Sequence, residues 1–123
     1  MEKTRTCEIY MDEFGILHVK MLGGVIMDKE DAADNFLVAR TLTKNKKVLK
    51  LIDSRSLYGI NRGGRDFIEK QSKSRPDIAK AILVSTLLQK YLMSFFNSLE
   101  TPLYPVKIFT SKKRAIEWLK SFL

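Results

Sequence analysis

Two short apolar runs restrict most what this chain can become. Lys47 to Asp53, carrying Val48, Leu49, Leu51 and Ile52, has the length and content of a buried strand. Ala79 to Ser85, interrupted only by Lys80, reads as a central strand covered on both faces. Buried strands of this kind belong to parallel sheets, whose successive members need a crossover between them.

The sequence around these runs supplies the crossovers. Cys7 to Met11 and Ile16 to Leu22 are β-rich and joined by Asp12-Glu13-Phe14-Gly15, which predicts an antiparallel hairpin. Asp28 is placed to cap a helix running to about Thr43, with Glu30 and Asp31 in its first turn and Ala33, Phe36, Leu37 and Arg40 at helical spacing. A second helix starts near Gly63, carries Phe67, Ile68 and Gln71, and is stopped between Ser72 and Pro76. Thr86 caps a third, whose Leu87, Leu88, Tyr91, Leu92, Phe95, Phe96 and Leu99 form a wide apolar face. Val106 to Phe109 is a short strand, and Ser111 caps a last helix with Ala115, Ile116, Trp118, Leu119, Phe122 and Leu123 pointing inward. The order ββαβαβαβα predicts one α/β domain over 1–123, with a five-stranded, mixed but mainly parallel sheet packed with helices.

Composition excludes several classes. With 45% hydrophobic and 29% charged residues the chain is neither disordered nor fibrous. Its apolar stretches break well before the ~18 to 20 residues that cross a bilayer. No uninterrupted apolar leader follows Met1, and the lone Cys7 cannot form an internal disulfide, so a cytoplasmic location is expected. Cys7 reads as a small packed side chain rather than a nucleophile, since His18 is the only histidine available as a base. His18 has no Cys, Asp or Glu at metal-ligand spacing and reads as a strand residue; no metal, cofactor or catalytic residue is expected.

The net charge of +8 is uneven. Residues 1–61 hold 10 basic and 9 acidic groups, residues 62–123 hold 12 and 5. A surface that attracts an anionic partner is one reading and solubility the other.

The strand Val48-Leu49-Lys50-Leu51-Ile52-Asp53, the strand Ala79-Lys80-Ala81-Ile82-Leu83-Val84 and the ending Val106 to Thr110 followed by Ala115 to Leu119 resemble the STAS domains, named from sulphate transporters and anti-sigma-factor antagonists. The likeness covers nearly the whole chain and is greatest to SpoIIAA-like small bacterial proteins. It is a likeness of pattern and carries no active-site signature. In STAS antagonists a serine in an Asp-Ser-Ser-Gly-like motif is the phosphorylation switch that governs partner binding. One alignment sets that motif on Asn61-Arg62-Gly63-Gly64, which has no hydroxyl; the other sets it on Asp53-Ser54-Arg55-Ser56, making Ser54 or Ser56 the candidate. The first is preferred, because Gly63-Gly64 sits where a helix begins. Against a switch, both hydroxyls can simply hold the loop backbone.

Two basic segments are candidate anion sites. Asn61-Arg62-Gly63-Gly64-Arg65 joins glycines, which let backbone approach a ligand, to two arginines at a helix start. It lacks the Lys-Ser/Thr ending of a phosphate-binding loop, and an ordinary Gly turn with solvated arginines competes as an explanation. Ser111-Lys112-Lys113-Arg114 puts three cations where a helix dipole prefers anions, a mismatch that a bound anion resolves and that exposed lysines also tolerate. Both segments follow parallel strands, where open α/β sheets bind ligands, and the two are expected to share one edge.

The leading expectation is a non-catalytic STAS-like regulatory or ligand-binding module that engages an anionic small molecule or an acidic protein surface. Its wide helix 87–99 is core or, alternatively, a homodimer contact. The alternative function is peripheral binding to nucleic acid or anionic membrane through the basic half, although the aromatic residues are not interleaved with the cations as a stacking platform requires.

Overall fold

A computed structural model of the chain describes residues 1–56, 58–87, 89 and 103–123. The expected hairpin forms from β2 (Cys7–Met11) and β3 (Ile16–Met21), paired antiparallel. Its turn is built by Asp12, whose Oδ1 accepts from Phe14 N at 2.8 Å and Ile16 N at 2.9 Å, while Gly15 takes the left-handed backbone (φ 80) that closes it. A further strand, β1 (Glu2–Lys3), lies antiparallel outside β2. Two residues are too few to leave a period in the sequence.

Strands β5 (Leu49–Asp53), β7 (Ala79–Leu83) and β8 (Val106–Phe109) add in parallel to β3, giving a six-stranded sheet in the order β1-β2-β3-β5-β7-β8. Two short strands, β4 (Ile26–Met27) and β6 (Gly59–Ile60), pair in parallel outside this sheet and tie the entries of the first two helices together. The fold is α/β with a mixed, mostly parallel sheet, as the spacing predicts.

Helix α1 (Lys29–Thr43) starts at Asp28 with a capping box: Asp31 N donates to Asp28 Oδ1 at 2.8 Å and Asp28 N to Asp31 Oδ2 at 3.0 Å. Its inward face departs from expectation, because Leu37 is 61% exposed. Buried polar anchors set the rotation instead. Arg5 pairs with Asp31, and Asn35 donates to Thr6 Oγ1 at 2.9 Å, so Asp31, Ala32 and Asn35 face the sheet. Arg5 and then the backbone of Asp28 hold the Asp31 carboxyl down at about 2, against the opposing effect of burial.

Helix α2 (Arg62–Ser74) is capped by Asn61, and α3 (Lys112–Lys120) by Ser111, which accepts from Arg114 N at 3.3 Å. Ala115 and Leu119 of α3 are buried as predicted. Phe122 and Leu123, expected inside, are 38% and 74% exposed, since α3 ends at Lys120 and the chain then leaves its apolar face. Thr86 Oγ1 accepts from Gln89 N at 3.1 Å, the bond a helix cap makes. Leu87, the first residue of the expected apolar face, is 64% exposed; the rest of that face, residues 88 and 91–99, lies outside the described residues.

The sheet separates two cores. On one face Ile16, Leu49, Leu51, Ala79, Ala81, Leu83 and Phe109 meet Ala115 and Leu119 of α3. On the other Cys7, Ile9, Leu17 and Met21 meet Met27 and Ala32, with Ile60, Phe67 and Ile68 packed alongside. Alternate residues of the same strands therefore serve opposite layers.

Candidate functional site

The segment Asn61-Arg62-Gly63-Gly64-Arg65 has a packing explanation. A Cβ on Gly64 would sit 2.8 Å from the Met27 carbonyl oxygen and 3.0 Å from Ile60 Cγ2, so glycine lets α2 begin against the β4–α1 connection. The Gly64 amide is used up by Asn61 Oδ1 at 2.9 Å. A Cβ on Gly63 would meet Lys29 Cβ at 3.5 Å and Asn61 Oδ1 at 3.6 Å, ordinary contacts. Arg62 lies 3.9 Å from Asp66 in a pair whose side chains are 90% and 70% exposed, and Arg65 points to solvent.

The second basic segment lies on the opposite side. Lys112, Lys113 and Arg114 are exposed at the start of α3, which packs on β7, β5 and β8, whereas α2 packs on α1. Both starts follow the carboxyl ends of parallel strands, yet the sheet stands between them. Asp53 lies near Lys112: burial raises its carboxyl, but the bidentate Arg55 (2.8 and 3.0 Å) and the charge of Lys112 prevail and hold it down.

Ser54 is buried, its Oγ accepting from Tyr58 OH at 2.9 Å and its amide donating to Leu83 O at 2.8 Å; Ser56 is half-buried. Cys7 is fully buried beside Met21 Sδ at 3.5 Å, and burial pushes its thiol up to about 11, the wrong direction for a nucleophile. His18 is buried too. Its Nε2 lies 2.8 Å from Asp12 Oδ2 and its ring stacks on Tyr10 at 4.5 Å, a structural arrangement. Among the described residues no group of three or more His, Cys, Asp or Glu is placed to hold a metal. No described helix is long and apolar enough to cross a membrane.

A different site lies between the sheet and α1/α2. A cavity of about 180 Å³ is walled by apolar side chains that include Ile9, Val19, Phe36, Ile52, Ile68 and Ile82. Two lysines line it, Lys50 of β5 and Lys80 of β7. The parallel register makes them direct neighbours, and like charges on adjacent strands repel. Lys50 is compensated by Asp77 at 3.2 Å, with side chains only 14% and 13% exposed, and its Nζ stands 5.4 Å from the centre of the Phe36 ring.

Lys80 has no carboxylate within ion-pair distance among the described residues; its Nζ lies 5.7 Å from the centre of the Tyr104 ring. Burial, and next the charge of Lys50, push its ammonium below the ordinary lysine range, while Asp77 acts weakly the other way. Burial and the charge of Asp77 likewise push the Tyr104 phenol up to about 12. An ammonium in a low-dielectric wall is costly unless an anion meets it. The far side of the cavity carries the Ser54–Tyr58 hydroxyl pair and Asn35.

The sequence signal for this site is the interruption itself. Lys50 and Lys80 are the only lysines within the strands β5 and β7. What local spacing does not show is that the register sets them side by side on the cavity face.

Comparison with known proteins agrees with the fold. No curated protein matches the chain. An uncharacterized protein from the DUF3478 family with a SpoIIAA-like fold, from Shewanella loihica PV-4, superimposes with a TM-score of 0.72 at 20% identity, covering 97% of this chain and 98% of its own. That likeness establishes a SpoIIAA-like fold. The model of one family matches residues 9–123, nearly the whole sheet and all the helices described above, so the chain belongs to the family described as a domain of unknown function (DUF7793).

Proposed function

We propose that the chain is a non-catalytic, cytoplasmic ligand-binding module that takes an anionic, partly apolar small molecule into the cavity between its sheet and α1/α2. The supporting observation is the half-buried Lys80, set beside Lys50 in an apolar wall without a carboxylate of its own among the described residues. A bound carboxylate or comparable anion there removes the cost of burying the ammonium, and the surrounding isoleucines and Phe36 take the apolar remainder. This reading keeps the expected anionic small molecule and moves it from the basic edge to the cavity. The cations at Arg62, Arg65 and Lys112 to Arg114 are exposed and split between two faces, so they favour solvation over a shared pocket. The buried, hydrogen-bonded Ser54 likewise weighs against a phosphorylation switch.

Native mass spectrometry of the protein as purified from cells tests the reading, because one spectrum gives subunit number and the mass of any retained ligand. An adduct of defined mass that is absent from Lys80→Met supports it. A dimer or monomer that stays bare after incubation with medium-chain carboxylates overturns it and turns attention to an acidic protein partner. Tight, steeply salt-dependent retention of nucleic acid or anionic vesicles instead favours attachment through the basic half.

A further inference from the structure

The cavity does not end at Lys50. A second hollow of about 400 Å³ lies where the C-terminal ends of α1 and α2 meet the entry to β5, and it shares Phe36, Ala39 and Lys50 with the first. Its wall holds Arg40, Lys46, Lys47, Lys50 and Arg75 against one carboxylate, Asp77. Some of this positive charge answers the negative ends of the two helices. Arg75 already donates to the side-chain oxygen of Asn45. Neither interaction accounts for Arg40, whose Nε is fully buried with no hydrogen-bond partner among the described residues. A buried guanidinium N–H without an acceptor is a standing cost that an incoming oxyanion removes. Lys44 and Asn45 both adopt left-handed backbone (φ 54 and 62), and this turn carries the chain out of α1 so that Lys46 and Lys47 line the same hollow.

We infer that this hollow is a phosphate site, and that the molecule bound is an amphiphile whose phosphate head lies at the Lys50 junction, between Lys80 on the cavity side and Arg40, Lys46, Lys47 and Arg75 on the other, while its apolar part enters the adjoining cavity. The inference rests on the cavity reading above and adds the chemical class of the head. Five cations against one carboxylate exceed what a single carboxylate head needs, and they suit a phosphate monoester, which carries about −1.5 to −2 charge. Arginine presents paired donors that match phosphate oxygens. Lys50, shared by both hollows, sits at the junction of head and tail.

Calorimetric titration of the whole chain with dodecyl phosphate, dodecanoate and inorganic phosphate tests this. Dodecyl phosphate should bind at least about tenfold more tightly than dodecanoate, the effect of one further charge-assisted hydrogen bond. Arg40→Met should remove that preference by weakening dodecyl phosphate much more than dodecanoate. If Arg40→Met does not fold, the pair Lys46→Ala and Arg75→Ala, both on exposed chain, should cut the preference at least threefold or so, by loss of rim charge. Equal binding of the two amphiphiles, or a preference untouched by these variants, overturns the phosphate site and leaves the cavity reading standing. Binding of neither amphiphile overturns both. Inorganic phosphate that binds as tightly as dodecyl phosphate overturns the amphiphile and makes free phosphate the ligand.

Discussion

The two faces of the sheet are made from alternate residues of the same strands, and they solve opposite problems. Under α3, Leu49 and Leu51 of β5 and Ala79, Ala81 and Leu83 of β7 close with Ala115 and Leu119 into an apolar layer, with the carboxylate of Asp53 held at its edge by Arg55 and beside Lys112. Under α1 and α2, the residues between them, Lys50, Ile52, Lys80 and Ile82, line a cavity that also contains Asn35, Ser54 and Tyr58. One face maximises buried apolar area; the other gives up packing and takes on the cost of charge. Sequences that break a local rule on one side of a well-packed element tend to do so where they bind something.

Substitutions on the two faces should therefore differ in size and in sign. Leu51→Ala on the packed face should cost about 3 kcal/mol in urea unfolding, as truncations in a filled core do. A loss under about 1 kcal/mol would mean that this face is not the packed one. Asp77→Asn leaves Lys50 facing Lys80 without its carboxylate and should cost about 2 kcal/mol, less than a fully buried pair because both side chains retain some exposure. Gly64→Ala, which drives a Cβ to 2.8 Å from the Met27 carbonyl, should cost about 1 to 2 kcal/mol, with α2 displaced at its start.

Lys80→Met is the variant whose sign separates the faces. It should stabilise the free protein by about 1 kcal/mol, since it replaces an ammonium that has no ion-pair partner among the described residues by an apolar side chain of similar length. The sign with pH follows from the depressed ammonium. The folded chain releases the Lys80 proton at a lower pH than the unfolded chain, whose lysine titrates at 10.5. Stability of the natural protein therefore rises with pH between those two values as far as Lys80 is concerned. The gap between Lys80→Met and the natural protein should be widest near neutrality and should close as pH approaches 10.5. A gap that is flat with pH would place the Lys80 ammonium in water. In acid the charged group acts with the opposite sign, stabilising where the Lys80 ammonium destabilises: Asp31, held at about 2, contributes stability above its unfolded value of 3.8 that is lost as pH falls towards 2, and Arg5→Ala should flatten that loss.

Most of the architecture was legible because it is written in local periods. The Asp12 to Gly15 turn, the Asp28 and Ser111 caps and the three parallel strands each leave a signature within a few residues. Leu37 departs from expectation because helical spacing admits more than one rotation, and Phe122 because the last helix stops at Lys120. The rotation of α1 is decided by Asp31 reaching Arg5 and by Asn35 reaching Thr6, partners at least 26 residues away in sequence. The short β4 and β6 pair has no period to read. Glycines at a helix start attracted attention as a ligand loop, whereas Gly64 is required by the carbonyl of Met27. The cavity lysines were visible one at a time as interruptions, but their juxtaposition belongs to the β5–β7 register, and no window on the sequence contains both.

Calorimetric titration of decanoate and of decanol into the natural protein and into Lys80→Met tests the central claim most directly, because the two ligands share a tail and differ in charge. The account predicts saturable binding of decanoate at one site per chain, at least about tenfold tighter than decanol in the natural protein, with the preference gone in Lys80→Met. No saturable binding of either ligand, or a preference for decanoate that survives Lys80→Met, would contradict it.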